Sequence, residues 1–350
     1  GYRTGAIGKW HLGHLPQYLP TRQGFDSFYG TPYSNDEQVA AGPWQDAFRR
    51  RDYWNTPMFY EPRSEYWDIP LLQDEVEIER PVDQTTLTQK ATEHAVAFID
   101  DAVSAREPFF LYLNYHMPHV PLFVSDDFRG RSQAGIYGDV IEELDWGVGQ
   151  ILDALRSAKI EQNTLVFFTS DNGGSAGRLF GDKGSTWEGG NRVPALFWSP
   201  GRIMPGTEWG IGAGVDLMAT IAALTDGQMP DDRVMDSLDL SPALLGFAPS
   251  PREVMPYFRG TKLEAVRRGI FKAHFVTEDG FGLAPSRVVH EPPLLFNLGI
   301  DSGETHNLAP SHPKIVEELR RLRESIVKGL TFGPDQLVEQ LPPAVSSQSS

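Results

Sequence analysis

Ile136, Val140, Ile141, Leu144, Val148, Ile151, Leu152 and Leu155 recur at intervals of three and four. That is the spacing of a helix with one apolar stripe and a polar outer face. On either side of it the period changes. "EPFFLYLNYHMPH" carries the apolar block Phe109 to Tyr115, which stops at polar and Pro residues, and "TLVFFTSDNGG" has the same shape. Short continuous apolar runs that end in turn residues predict buried strands leading into loops. Strand, helix and strand in succession predict a parallel α/β sheet.

A second helix is predicted from Asp216 to Leu224. After it, Pro- and Gly-bearing segments alternate with the apolar runs "VMPYF", "KAHFV" and "LLFNL", the pattern of a smaller antiparallel sheet. "HPKIVEELRRLRESIVKGL" has helical periodicity and should pack on that sheet. "PPAVSSQSS" lacks the apolar surface to fold and reads as a mobile tail. These features divide the chain at 1–250, 251–341 and 342–350. Residues 43–81, with "RRRDYWNTPMFYEPRSEYW", show no clean period and predict a long surface excursion, whose aromatics either pack onto the body or line a substrate mouth.

At 350 residues and 40% hydrophobic content the chain can bury a sizeable core and reads as one large domain or one domain plus an appendage. Its 31 Lys and Arg against 47 Asp and Glu leave a net charge of −16, which argues against nonspecific binding to nucleic acid or an anionic membrane. Any bound anion needs a local basic cluster. The chain has no Cys, which excludes disulfides, thiolate metal sites and a thiol nucleophile within these residues. No stretch has the ~18 apolar residues of a membrane span.

Candidate chemistry clusters at the predicted strand ends. In "GYRTGAIGKWHLGH", an extended backbone after Gly8 would point Lys9 and His11 to one face and Trp10 to the other, making an anion clamp; the alternative is a surface Lys beside a half-buried His. His116 and His119 follow a strand, with Pro118 and Pro121 expected to hold the turn extended. Strand carboxyl ends are where open α/β sheets bind ligands, so these histidines read as acid, base or ligand, or as hydrogen-bonded structural groups. Asp171 and Asn172 offer hard oxygen donors for Ca²⁺ or Mg²⁺ before a glycine turn, although Asx-Gly is also ordinary turn chemistry. Lys183 sits in a glycine-bearing loop, "GDKGSTWEGGNRVP". Cations, imidazoles and oxygen ligands on separate loops together suit a metal-supported oxyanion ester.

These segments, with "PHVPL", "SDNGG", "GDKGSTWEGGNRVPALFWSPGRI", "VDLMATIAALTDG" and "AVRRGIFKAHF" in order, resemble the type I sulfatase family. "LPTRQGFDSFYGTPYSND", "HEPPLLFNLGIDSGETHNL" and "LTFGPDQL" resemble its arylsulfatases. The resemblance implies an alkaline phosphatase-like α/β fold with a smaller C-terminal antiparallel sheet plus helix, so that 1–250 would be most of the catalytic domain and 251–341 a C-terminal subdomain. It implies hydrolysis of sulfate monoesters, whether aryl sulfate, sulfated glycan or sulfated glycolipid. Lys9 would bind sulfate and the neighbouring nucleophile, His11 would shuttle protons there, and His119 would protonate the leaving oxygen. Ser34 would make a minor polar contact, His116 would stand behind the site, Lys183 would grip a sulfate oxygen, and Asp171 and Asn172 would ligate Ca²⁺.

The family's nucleophile, a formylglycine made from Cys or Ser in Cys/Ser-x-Pro-Ser-Arg, and its paired metal-binding aspartates are not among these residues. "LAPSR" at Leu283 to Arg287 has Leu at the nucleophile position. The nucleophile is therefore expected upstream of Gly1, and the chain as given is expected to be inactive alone. A phosphodiester or phosphonate hydrolase of the same superfamily and a noncatalytic sulfate-binding scaffold are the other readings. Family habit points to the periplasm, the cell exterior or the lysosome.

Overall fold

The computed structural model describes residues 1–42, 45, 57–174, 177–280 and 287–333. The chain divides into two compact units, 1–164 and 165–350. The predicted tail at 342–350, residues 43, 44 and 46–56 of the aromatic excursion, and 283–286 of "LAPSR" lie outside the described residues.

In the first unit, β1 (Arg3–Lys9), β2 (Ser27–Thr31), β3 (Leu71–Gln73), β4 (Val76–Glu79) and β5 (Phe109–Asn114) form one sheet in the order β4-β3-β2-β1-β5. β1 pairs in parallel with both β2 and β5, whereas β3 and β4 join antiparallel. Between β4 and β5 runs α1 (Leu87–Ala105). Its buried residues Leu87, Ala91, Ala95, Phe98, Ile99 and Ala102 make one stripe at helical spacing, which packs on β1, β2 and β5. Gly5 permits this approach, because a Cβ there would lie 2.6 Å from the Phe98 ring. The helix stops where Arg106 turns left-handed (φ 58°) and its N–H is shared by the carbonyls of Ala102 and Val103.

The predicted helix is α2 (Gly135–Ser157), packed against α1. Val140, Leu144 and Leu155 are buried, but Ile136 and Ile141 are exposed. Ile141 sits about 100° round the axis from Val140, beyond the width of the covered stripe. The described part of the excursion packs onto the body: Met58, Trp67 and Ile69 are buried in the core, and Phe59 meets Trp67 edge to face at 5.5 Å. Its last residues build the β3–β4 hairpin.

The predicted strand–helix–strand unit is not the source of the parallel pairing. β6 (Val166–Thr169) belongs to the second unit and pairs antiparallel with β7 (Ala195–Trp198); the parallel neighbours are β2, β1 and β5. β5 is also less buried than a continuous apolar run suggests. It is the last strand in its sheet, with Phe110 and Tyr112 exposed while Phe109, Leu111 and Leu113 pack on the core. A strand with one covered face shows the period-two alternation that its all-apolar composition conceals.

The second unit contains α3 (Leu217–Leu224) and an antiparallel sheet of β8 (Val254–Arg259), β9 (Lys262–Arg268), β10 (Phe271–Thr277) and β11 (Val288–Asn297), in the order β11-β10-β9-β8. "VMPYF", "KAHFV" and "LLFNL" fall in β8, β10 and β11, as expected. α4 (Pro313–Gly329) lays Val316 and Leu319 onto this sheet against Leu263, Ala273 and Leu295. Among the described residues no helix is long and apolar enough to cross a membrane.

Leu295 is fully buried beneath α4. Leu295→Ala is expected to cost about 2 to 5 kcal/mol, read as a lowered urea midpoint for the unit that carries it. A loss below about 1 kcal/mol would show that the sheet and helix do not enclose a close-packed core.

Candidate functional site

The registers Lys9↔Thr31 and Gly8↔Asn114 bring the carboxyl ends of β1, β2 and β5 to one edge, the edge at which open α/β sheets receive ligands. Lys9 is buried there, 7% exposed. Its carbonyl accepts Asn114 Nδ2 at 2.7 Å. Gly8 allows the close approach: its φ is +102°, and a Cβ would stand 2.0 Å from the Asn114 carbonyl oxygen.

The extended backbone expected to carry Lys9 and His11 to one face stops at Lys9. β1 ends at Lys9, and His11 takes a left-handed conformation (φ 58°), so strand alternation no longer relates the two side chains. Lys9 is buried, whereas His11 is about half exposed, with Nε2 2.5 Å from Glu37 Oε1. Trp10 turns into the core and donates Nε1–H to the Tyr18 carbonyl at 2.8 Å.

The segment after β5 is a turn, as expected, closed by the His119 N–H donating to the His116 carbonyl at 3.2 Å. It gives its two imidazoles different chemistry. His116 is buried, with Nε2 2.7 Å from Thr31 Oγ1, and the Thr31 hydroxyl spends its one proton on the Tyr33 carbonyl. The His116 Nε2–H is therefore the donor. Burial, then the charge of Lys9 and the nearness of His119, push its pKa down to about 3. His116 is thus a neutral, fixed ring and not an acid near neutral pH. His119 Nδ1 lies 2.6 Å from the Val120 carbonyl, which can only accept, so Nε2 is the nitrogen able to exchange a proton. Asp36 Oδ1 lies 4.0 Å from the same ring.

Asn35 fastens these loops together by donating Nδ2 to the Pro121 carbonyl (3.2 Å) and to Gln84 Oε1 (3.0 Å). Beside it Ser34 is buried, and its hydroxyl has no hydrogen-bond partner among the described residues. A buried hydroxyl in that state is one that a bound polar group can satisfy.

In the second unit β6 runs into the turn Ser170 to Gly173. Asp171 Oδ1 accepts the Asn172 N–H at 3.0 Å, and Ser170 Oγ donates to the Asn172 carbonyl at 2.9 Å. The Gly173 N–H donates to the Gly190 carbonyl at 3.1 Å, and a Cβ at Gly173 would stand 2.0 Å from the Gly189 carbonyl oxygen. Lys183 is half-buried in the following loop. The Asp171 carboxylate and Asn172 amide fit one side of a Ca²⁺ ion, which takes about six to eight oxygens. Among the described residues no group of three His, Asp or Glu completes such a shell.

Lys9, His11, Ser34, His116 and His119 thus stand in the first unit, with Asp171, Asn172 and Lys183 in the second. Thr31, Asp36, Glu37 and Asn114 escaped the sequence reading. Asp36 and Glu37 directly follow "PYSN" and could have been marked as partners for the histidines. Nothing in sequence relates Thr31 to His116, 85 positions apart.

A family model described as "Sulfatase" matches residues 1–227, and one described as "C-terminal region of aryl-sulfatase" matches 250–348. The chain is 36% identical to the N-acetylgalactosamine-6-sulfatase of Canis lupus familiaris, over 92% of this chain and 65% of that protein. It is 36% identical to the arylsulfatase A of Bos taurus, over 97% of this chain and 72% of that protein. The chain therefore spans roughly two thirds of the length of these relatives. The solved PsFucS1 sulfatase from Pseudoalteromonas sp. superposes with a TM-score of 0.78 at 24% identity, over 94% of this chain and 70% of that one; this likeness carries the fold, which is alkaline phosphatase-like.

The depressed pKa of His116 makes stability pH-dependent. The unfolded imidazole takes up a proton near pH 6.5, whereas the folded one resists to about 3. Stability should be complete above 6.5 and fall as pH drops through that window, by about 1.4 kcal/mol per pH unit. Urea titrations across the window should show this slope flattened by that amount in His116→Gln. Identical slopes in the two proteins would mean that the ring is solvated.

Proposed function

This chain belongs to the sulfatase family, and from that premise we propose that it forms the larger part of an enzyme hydrolysing sulfate monoesters. The observation that carries the reading is the carboxyl edge of β1, β2 and β5. There a buried Lys9 and the turn carrying His116 and His119 bring an ammonium and two imidazoles together on a chain of net charge −16. The relatives' names make a sulfated N-acetylgalactosamine and an aryl sulfate the substrates to try first. A phosphoester hydrolase and a noncatalytic scaffold are not favoured beside relatives named as sulfatases at 36% identity.

In this reading Lys9 binds the sulfate and Lys183 grips a sulfate oxygen, each ammonium offsetting charge that develops on those oxygens. His119 gives a proton from Nε2 to the departing alcohol oxygen, while Nδ1 stays on the Val120 carbonyl with Asp36 Oδ1 4.0 Å away. His11, oriented by Glu37, receives a proton when sulfate is released. His116 holds its neutral form and, through Thr31, keeps the end of β2 in place. Ser34 supplies the minor polar contact. The net change is addition of water across the sulfur–oxygen ester bond, giving alcohol and sulfate.

Two groups belong to this reading without being complete in the chain. A formylglycine hydrate would supply the attacking oxygen and a calcium ion would polarise the sulfate, the ion held on one side by Asp171 and Asn172. No residue here can be the formylglycine precursor as cysteine, since the chain has none.

The test extends the chain with an upstream segment carrying the aspartate pair and Cys-x-Pro-Ser-Arg, coexpresses the formylglycine-generating enzyme, and assays an aryl sulfate beside an aryl phosphate. The sulfate should turn over, with Lys183→Ala lowering kcat by about 10²- to 10³-fold and His119→Ala by about 10²- to 10⁴-fold. The bare chain should show no turnover. Preference for the phosphate ester, or robust turnover by the bare chain, would overturn the assignment.

A further inference from the structure

The loop that carries Lys183 is fastened by charged groups that no step above uses. Glu188 is 2% exposed; Lys272 and His274 on β10 are fully buried, and so is the Glu304 side chain. Lys272 Nζ lies 2.8 Å from Glu188 Oε1 and 3.1 Å from Glu304 Oε1. His274 Nε2 lies 2.7 Å from Glu304 Oε1, and the other Glu304 oxygen accepts the Glu188 backbone N–H at 2.6 Å. The Tyr257 ring faces the ammonium at 4.2 Å. Burial and the Lys272 charge push His274 down to about 4, despite Glu304. Burial pushes Glu304 up, but its bonds to His274 and Lys272 hold it below the usual range.

From this anchor the contacts run outward to the candidate site. The Gly189 N–H donates to the Phe180 carbonyl at 2.8 Å, and Asn191 Nδ2 donates to the carbonyls of Ser185 and Trp187 at 2.8 and 2.9 Å. Gly173 N–H takes the Gly190 carbonyl, which ties the Asp171–Asn172 turn to the same segment. On the far side the Lys183 backbone lies on Gly280, where a Cβ would stand 1.9 Å from the Lys183 carbonyl oxygen. Apolar packing could hold a loop as firmly as buried charges do. Directional bonds to one backbone N–H and one side chain additionally admit a single register.

We propose that Glu188, Lys272, Glu304 and His274 form a positioning network by which the C-terminal sheet sets Lys183 and the Asp171–Asn172 turn relative to each other. These are positioning residues, and their bearing on catalysis rests on the sulfatase reading above. The C-terminal sheet is then part of the site's construction and not an appendage to it.

Hydrogen exchange of the 350-residue chain tests this without any substrate. Lys272→Met should speed exchange at Gly173, Ser185, Gly189 and Gly190 by about tenfold or more relative to Arg252→Met, which removes the separate buried Arg252–Asp216 pair of the same unit. Lys272→Arg should recover part of the protection. If Lys272→Met does not fold, Glu188→Gln, which keeps the shape and loses the charge, carries the same readout. Equal effects of Lys272→Met and Arg252→Met, or unchanged exchange in Glu188→Gln, would overturn the network's role. In the extended enzyme Glu188→Gln should lower kcat/KM for the aryl sulfate, and looser exchange with unaltered kcat/KM would also overturn the proposal. An extended wild-type enzyme that turns over no sulfate would refute the functional reading alone, leaving exchange to decide the network.

Discussion

An ammonium group taken out of water must be held by negative or hydrogen-bonding neighbours, and each unit of this chain is arranged around one such group. In the second unit Lys272 is fully buried between the carboxylates of Glu188 and Glu304. Removing one partner of a buried pair leaves an uncompensated charge and typically costs about 3 to 5 kcal/mol. The loop bearing Glu188 therefore cannot drift from the sheet bearing Lys272. In the first unit Lys9 is buried at the carboxyl edge of three parallel strands, beside the neutral ring of His116. Lys272 lies between two carboxylates, and Lys9 lies at the edge where the topology receives ligands.

The same logic sorts the histidines. His116 is held neutral by burial, with Lys9 and His119 nearby, and is oriented by a hydroxyl whose own proton is committed elsewhere. His119 uses a backbone carbonyl to fix Nδ1 and leaves proton exchange to Nε2. His11, turned outward by a left-handed backbone, is oriented by Glu37. His274 is part of the anchoring cluster. The imidazole is the same in each case, and its surroundings decide whether it can move a proton.

Much of this was legible in the sequence. The three- and four-residue spacing from Val140 to Leu155 specified a helix because the period of an α-helix is a local property. The runs "VMPYF", "KAHFV" and "LLFNL" with the amphipathic segment after them specified a sheet covered by a helix, since each apolar face must be buried against another. The ordered motifs around Lys9, His119, Asp171 and Lys183 carried the family, whose model matches residues 1–227.

What the sequence left open was decided by contacts between distant residues. The apolar run of β5 did not say that Phe110 and Tyr112 would be exposed on one face, because exposure of a face depends on what packs against it. Nor did "KWH" say that the strand would stop at Lys9, where Trp10 and His11 donate to the Thr31 and Pro32 carbonyls and His11 takes a positive φ. Thr31 and His116, or Glu188 and Lys272, are ordinary residues in sequence and become partners only when strands and loops far apart in the chain meet. Local periodicity and motif order determined the elements and the family; tertiary structure decided protonation, exposure and partnership, because those depend on the dielectric and the neighbours that folding brings to each side chain.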